Sequence, residues 1–151
     1  MAATAIAAGL TIAAAAGGAQ RRTLIAFSSN RSGDSEIYVM RPDGTGVRRL
    51  THSPKVDSPA QWSPDGRRIA FVGGAHRKPE IDVMNADGSG LRTLLRDTTY
   101  IGGLSWSPDG SKLVFASGRD QIAGEIYVMN ADGSRIKRLT KNTFGDNGPV
   151  W

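Results

Sequence analysis

Two imidazoles and one short Gly-Asp-Ser segment are the groups in this chain that first suggest catalysis. His52 and His76 could act as bases, but neither lies in a cluster of catalytic residue types. The segment 33–35 resembles part of a hydrolase nucleophile motif, yet Gly, Asp and Ser are also ordinary turn formers. The chain has no G-x-S-x-G, no H-E-x-x-H and no phosphate-binding glycine loop. The sequence therefore predicts that the chain is not an enzyme.

Metal and cofactor binding also lack a supporting motif. The chain has no cysteine, which excludes disulfides and thiolate metal ligands. Residues 85–90, Asn-Ala-Asp-Gly-Ser-Gly, resemble part of a calcium loop, but the spaced carboxylates and the closing glutamate are missing. We therefore expect no metal and no cofactor.

The N-terminal segment 1–20 is an apolar leader. Residues 2–19 carry no charge, and small residues precede Gln20, which is typical of a secretory signal peptide. No Lys or Arg precedes the run, so a membrane anchor and an arbitrary start of the reading frame remain alternatives. We expect a periplasmic or extracellular location and no membrane span in the mature chain.

The rest of the chain is a repeat with a period of 44 or 45 residues. Ile37-Tyr38-Val39-Met40 returns as Ile-Asp-Val-Met at 81–84 and as Ile-Tyr-Val-Met at 126–129. Three tryptophans show the same two offsets: Trp62, Trp106 and Trp151. Each period contains four short runs rich in Val, Ile, Tyr and Phe, bounded by turns such as Ser-Pro-Asp-Gly. This pattern is typical of β-propeller blades. We predict an all-β fold of three four-stranded antiparallel blades, half of a six-bladed ring or a fragment of a larger propeller.

The basic residues follow the same repeat. With a net charge of +5, the chain could bind an acidic partner. Several basic residues fall on the fourth, outermost strand of their repeats: Arg48, Arg49, Arg92, Lys137 and Arg138. Charge on an exposed edge discourages aggregation, whereas nucleic-acid binding favours a single basic groove with aromatics. We therefore expect no nucleic-acid partner.

The string IAFSSNRSGDSEIYVMRPDG, with RRLT and WSPDG, resembles the WD-like repeat of TolB-type propellers. The resemblance covers about residues 23–151 and implies a propeller, but not the α/β domain that precedes it in TolB. Domain bounds follow from it: a leader at 1–20 and TolB-like repeats over 21–151. The repeats are expected at about 23–51, 57–95 and 101–140, with 147–151 as an inner strand.

The loops of such blades lie on two faces. The Ser-Pro-Asp-Gly and Asp-Gly turns are nearly identical between repeats, which suggests a scaffold, whereas the other connections vary, which suggests recognition. The predicted binding residues are those of the variable connections: Asp57, His76, Arg77, Lys78, Tyr100, Arg119, Phe144 and Asp146. Asp57 and Asp146 occupy equivalent positions, where the middle repeat has Ile101.

Two functions fit these observations. The first is a non-enzymatic protein-binding or scaffold module of the TolB-like type in the cell envelope or periplasm, with a protein or peptide partner. The alternative is the propeller portion of a prolyl-oligopeptidase-like peptidase, which would gate a hydrolase domain not present in this chain.

A homodimer is also expected from the sequence. The residues 44 positions before WSPDG read GAQRR, which contains neither the tryptophan nor the turn, so the first repeat lacks an inner strand. At the other end, GPVW at 148–151 resembles an inner strand with no strand that follows it. Propellers usually close by letting one terminus complete the blade begun by the other. Two copies would then complete a six-bladed ring; a fragment of a longer propeller and an open array of three blades are the alternatives.

Overall fold

The computed structural model describes residues 23–52, 60–75, 78–120 and 123–151, and every regular element within these ranges is a β-strand. The strands form three antiparallel sheets, one for each repeat, so the predicted all-β propeller architecture is confirmed. The predicted leader lies outside the described residues. No helix within the described ranges is long and apolar enough to cross a membrane.

The first blade contains three strands among the described residues. They are β1 (Ile25–Ser32), β2 (Asp34–Met40) and β3 (Arg48–Arg49), in the order β1-β2-β3. Strand β2 buries consecutive residues from Ile37 to Val39, which point to opposite sides of the sheet. Both sides of this strand are therefore covered, as expected for the middle of a blade.

The second blade has all four strands, in the order β4-β5-β6-β7. They are β4 (Gln61–Trp62), β5 (Arg68–Ala75), β6 (Lys78–Asn85) and β7 (Arg92–Arg96). A tight turn joins β4 to β5, closed by a 2.8 Å hydrogen bond from the Gly66 amide to the Ser63 carbonyl. Gly66 adopts a φ of 65°, a conformation that glycine reaches without strain.

The third blade repeats this plan. Its strands are β8 (Ile101–Trp106), β9 (Lys112–Ser117), β10 (Glu125–Asn130) and β11 (Lys137–Arg138). They are ordered β8-β9-β10-β11 across the sheet. Residues 147–151, predicted as a further inner strand, form no ladder with any described strand.

The core lies between the blades and not within any one of them. Ile37 and Leu50 of the first blade pack with Phe71 of the second in one apolar cluster. A second cluster joins the other side of the second blade, including Ile81, to Phe115 of the third. Each fully buried side chain of this size stabilises the fold by roughly 2–3 kcal/mol. Stacking of neighbouring blades is therefore what makes each blade stable.

Candidate binding surface

The face that carries the Ser-Pro-Asp-Gly and Asp-Gly turns is called the turn face. Its carboxylates bind groups of their own turns. Ser63 Oγ donates to Asp65 over 2.6 Å, and Ser107 Oγ donates to Asp109 over the same distance. The Ser107 hydroxyl, together with the amide and hydroxyl of Ser111, lowers the pKa of Asp109 to about 2.

The turns between the third and outer strands repeat this arrangement. In each, an aspartate accepts hydrogen bonds from a hydroxyl residue two positions later, which lowers the aspartate pKa. The pairs are Asp43 with Thr45, Asp87 with Ser89, and Asp132 with Ser134. Because these carboxylates already serve their own turns, the turn face is suited to a scaffold.

The opposite face, called the loop face, carries the connections that differ between repeats. Among the described residues they lie near 30–34, 97–100, 118–120, 123–124 and 140–147. Two of the predicted binding residues, Tyr100 and Asp146, come together here. The Tyr100 hydroxyl donates to Asn147 Oδ1, and the Asp146 amide donates to the Gly124 carbonyl over 3.0 Å. Partial burial raises the pKa of the Tyr100 phenol.

A pair of polar bonds also shapes the neighbouring loop. Asn142 Nδ2 donates to Asp146 Oδ2 over 2.8 Å, and the Phe144 amide donates to Asn142 Oδ1 over 2.7 Å. The first bond joins the side chains on either side of Phe144, and the second holds the Phe144 amide, while the Phe144 ring is largely exposed. An exposed aromatic ring on an ordered loop is a common anchor for a protein partner.

Arg119 lies on the loop face but is held in an ion pair. Its guanidinium donates to Asp97 Oδ2 over 2.9 Å, and Ser117 Oγ donates to the same oxygen over 2.7 Å. Burial alone would raise the pKa of Asp97, but the bonds from Ser117 and Arg119 outweigh it and the pKa is lowered. Since Asp97 follows β7 and Arg119 follows β9, this pair ties the second blade to the third.

Arg119 also covers an aromatic stack. Its guanidinium carbon lies 5.3 Å from the centre of the Tyr127 ring, which stacks on Phe115. The Tyr127 hydroxyl donates to Asp120 Oδ2 over 2.7 Å. Burial and this bond raise the pKa of Tyr127 to about 12. In the second blade the equivalent residue is the buried Asp82.

The remaining predicted binding residues are dispersed. Lys78 is exposed at the start of β6, opposite Ala75. Asp57, His76 and Arg77 lie outside the described residues.

A buried carboxylate recurs on the loop side of the outer blades. In the third blade, Arg138 Nη2 and Thr140 Oγ1 each donate to Glu125 over 2.5 Å. Glu36, Arg49 and Thr51 form the same arrangement in the first blade. The second blade differs, because Glu80 pairs with Arg96 over 3.0 Å and Arg96 is 72% exposed.

Sequence analysis did not single out Asn142, Asn147 or Asp97. These residues act through partners far away in the chain, for example Asn147 with Tyr100 and Asp97 with Arg119. The only available signal was that all of them lie in the variable connections, which does not distinguish them from their neighbours.

A cavity of about 390 Å³ lies beside the inner strands, lined by parts of β4 and β8 and by residues 148–150. Its lining includes Gln61, Leu104 and Ser105, and none of the described residues that line it has an ionisable side chain. Within the described residues no group of three or more His, Cys, Asp or Glu side chains is placed to hold a metal ion. The cavity therefore offers shape and apolar contact, with few groups that could perform chemistry.

Comparisons with known proteins bear on the repeat. No family model matches the chain. A TolB homolog from Chlorobium luteolum is 44% identical over 48 residues, 32% of this chain and 11% of that protein. The Tol-Pal system protein TolB from Gluconobacter oxydans is 49% identical over 51 residues, 34% of this chain and 11% of its own length.

Solved structures extend the likeness to most of the chain. A putative TolB from Agrobacterium tumefaciens superposes with a TM-score of 0.71 and 25% identity, over 84% of this chain and 48% of that one. The β-propeller domain of the Trilobed protease from Pyrococcus furiosus shares the fold, with a TM-score of 0.61, 18% identity and coverage of 80% and 41%. The chain thus spans less than half the length of these proteins. Its described blades are those of a TolB-like β-propeller.

Proposed function

We propose that this chain is a non-enzymatic protein-binding module of the TolB-like propeller type, acting in the cell envelope or periplasm. The observation that carries the proposal is the contrast between the two faces. Turn-face carboxylates are engaged by their own turns, whereas the loop face presents Phe144, whose amide is held by the Asn142 side chain, and Tyr100, whose hydroxyl is held by Asn147. Relatives that belong to a Tol-Pal system agree with a protein partner.

The proposed contact surface consists of the variable connections. The residues proposed to contact a protein or peptide are Asp57, His76, Arg77, Lys78, Tyr100, Arg119, Phe144 and Asp146. Within this set, Arg119 would act mainly by positioning the loop, because its guanidinium is already bound to Asp97. Phe144 is expected to contribute most, since a large exposed ring gains most from burial.

A selected peptide provides a test. A phage-displayed peptide library is selected against the full chain, and affinities of the selected peptide are then compared between variants. We expect Phe144→Ala to weaken binding at least about tenfold. Leu91→Ala, at an exposed apolar residue of the outer rim, and Lys112→Ala, on the turn face, should leave affinity unchanged. Binding that survives Phe144→Ala and is lost in Lys112→Ala would contradict the proposal, because the site would then lie on the turn face.

The proposed location depends on the leader. If residues 1–20 form a signal peptide, the mature chain begins near Gln20 and is found in the periplasm. N-terminal sequencing of the protein from a periplasmic fraction tests this. A full-length chain that begins at Met1 and stays in the cytoplasm would contradict it.

A second candidate function is the propeller portion of a prolyl-oligopeptidase-like peptidase. The likeness to the propeller domain of the Trilobed protease supports this alternative at the level of fold. An adjoining reading frame that encodes an α/β-hydrolase with a nucleophile elbow would favour it. To test this alternative, the two reading frames are expressed together and peptidase activity is measured. The alternative predicts that the activity is lost when the propeller is removed.

A second copy of the chain is included among the proposed partners. The described residues build three blades, whereas closed propellers have about four to eight. Two copies would give six blades and a continuous loop face.

A further inference from the structure

Residues 142–146, called the aromatic loop, are closed on themselves by one side chain. Asn142 Oδ1 accepts the Phe144 amide over 2.7 Å, and Asn142 Nδ2 donates to Asp146 Oδ2 over 2.8 Å. An asparagine side chain carries an acceptor oxygen and a donor nitrogen, and here both bind within the same short loop. Phe144 therefore stands at the tip of a loop whose two ends are joined.

The base of the aromatic loop is anchored where β10 begins. The Asn142 amide donates to Glu125 Oε1 over 3.1 Å, and Glu125 is fully buried. The Asp146 amide donates to the carbonyl of Gly124, the residue before Glu125, over 3.0 Å. Both ends of the loop are thus held by two consecutive residues of the chain, and the middle of the loop projects from a fixed base.

Close packing also restrains the base of the loop. A Cβ atom at Gly145 would overlap the Ala123 carbonyl oxygen, and one at Gly124 would overlap the Tyr100 hydroxyl. The same hydroxyl donates to Asn147 Oδ1, directly after the loop. Glycine is therefore needed at both positions for the aromatic loop to lie this close to its neighbours.

The equivalent position of the second blade uses the same local turn differently. Asp97 lies 45 residues before Asn142, and its Oδ1 likewise accepts the amide two positions later, from Thr99 over 3.4 Å. Its other oxygen accepts the bonds from Ser117 and Arg119 that tie the second blade to the third. Asp97 therefore serves blade stacking, whereas the side-chain bonds of Asn142 found among the described residues stay within the aromatic loop.

The tips of these two loops differ in exposure. Thr99 is partly buried, whereas Phe144 is 75% exposed. The residues on either side of Phe144, Thr143 and Gly145, are exposed as well. Because the backbone beneath the ring is already ordered, it loses little further freedom when a partner covers the ring.

From this closed loop we infer that Asn142 is a positioning residue of the protein-binding site, which holds Phe144 in the conformation that a partner binds. The inference rests on the proposed function, because it takes Phe144 as a contact residue. Without the Asn142 side chain, the Phe144 amide and the Asp146 carboxylate turn to water, and the tip of the loop samples many conformations. A partner must then order the loop on binding, so affinity falls although no contact with the partner is removed.

The affinity of the full chain for the phage-selected peptide tests the inference. We expect Asn142→Ala to weaken binding roughly tenfold. Asn130→Ala is the matched control, because Asn130 Nδ2 also donates to a residue four positions later, Ser134 Oγ over 2.9 Å, but lies on the turn face. This control should leave the affinity unchanged. Unchanged affinity in Asn142→Ala, or an equal loss in Asn130→Ala, would overturn the inference.

A double-mutant cycle separates positioning from direct contact. A chain that already carries Phe144→Ala has no ring to position, so adding Asn142→Ala should weaken binding by less than about twofold. If Asn142 touched the peptide itself, the losses of the two single variants would multiply. That result would overturn the positioning role.

An exchange of side chains tests the bond between the two ends of the loop. Asn142→Asp alone places two carboxylates side by side, and we expect it to weaken binding at least as much as Asn142→Ala. Adding Asp146→Asn restores a donor opposite an acceptor at the parent net charge, so affinity should return to within about threefold of the parent. Asp146→Asn alone still offers an acceptor to Asn142 and reports any direct contact of residue 146. A combined variant no better than Asn142→Asp would contradict the inference.

Backbone NMR relaxation of the free chain measures the ordering directly. The order parameters at Phe144 and Gly145 should fall from about 0.85 in the parent to below about 0.6 in Asn142→Ala. A loop that stays equally rigid in this variant would overturn the inference. If Phe144→Ala weakens peptide binding and Asn142→Ala does not, the inference alone fails and the proposed function stands. If Phe144→Ala leaves the affinity unchanged, the proposed contact surface fails and the inference fails with it.

Discussion

The turn face and the loop face are built from the same strands, yet their polar contacts follow different rules. On the turn face, the bond from Ser63 to Asp65 recurs 44 residues later as the bond from Ser107 to Asp109. On the loop face, the bond from Arg119 to Asp97 occurs in one place among the described residues. The turn-face carboxylate bonds are therefore periodic, whereas this loop-face pair is individual to one position.

The difference also concerns distance along the chain. Each turn carboxylate binds a residue two positions away, as in Asp132 with Ser134. On the loop face, Arg119 and Asp97 are 22 residues apart, and Tyr100 and Asn147 are 47 apart. These two loop-face pairs thus hold separate elements together, whereas each turn-face carboxylate shapes its own turn. Removing one of these loop-face contacts should therefore lower the free energy of unfolding more than removing a turn-face carboxylate.

The largest effect is expected for Arg49→Ala. Glu36 is fully buried and accepts a bond from Arg49, so the variant leaves the buried carboxylate without this cation. We expect the free energy of unfolding to fall by about 3 kcal/mol, measured by urea denaturation. Arg96→Ala is the matched control, because the exposed Arg96 pairs with the equivalent Glu80 and should lose less than about 1 kcal/mol. Equal losses of unfolding free energy in the two variants would show that the buried pair of the first blade is no more stabilising than the exposed pair of the second blade.

A smaller loss is expected for Asp97→Ala. This change removes the bonds from Ser117 and Arg119 that tie the second blade to the third, and it should cost about 2 kcal/mol. The pKa of Asp97 is lowered in the folded chain, so its contribution is present above about pH 4 and is lost as the pH falls below that value. Stability below about pH 4 should therefore depend less on pH in the variant. An unchanged pH profile would contradict this role.

The phenol of Tyr127 gives a third, alkaline test. Because its pKa is raised to about 12, its contribution to stability is present below pH 10 and is lost as the pH rises through about 12. In an absorbance titration, a phenolate should form near pH 12 in the unchanged chain. This phenolate should be absent from Tyr127→Phe. A Tyr127 that ionises near pH 10 would show that its burial and its bond to Asp120 do not persist in solution.

The smallest effect is expected on the turn face. Asp109→Asn should change global stability at neutral pH only slightly, because its hydroxyl and amide donors lie within one exposed turn. In the parent chain, carbon-detected NMR should show the Asp109 carboxyl titrating at about pH 2. Should Asp109→Asn destabilise the chain as much as Asp97→Ala, the turn face would be more than local scaffold.

The sequence by itself determined the repeat, the strands and the turn face. Apolar alternation, the tryptophan spacing and the Asp-Gly turns act over a few residues, so one copy of the motif folds like the next. Asp65 and Asp109 can thus be assigned to turns from their neighbours in the chain alone. For the same reason, the position of Tyr100, Phe144 and Asp146 in variable connections follows from the repeat, whereas their role in binding stays a prediction.

Only the tertiary structure decided which variable residues meet. No local pattern links Tyr100 to Asn147 or Arg119 to Asp97. The first pair depends on the path of the chain after the third blade, and the second depends on how the second and third blades stack. The same holds for Trp62, whose sequence position is identical to that of Trp106 but whose indole nitrogen has a different environment. A repeat specifies equal residues at equal positions, whereas the neighbours of each blade depend on its place in the array.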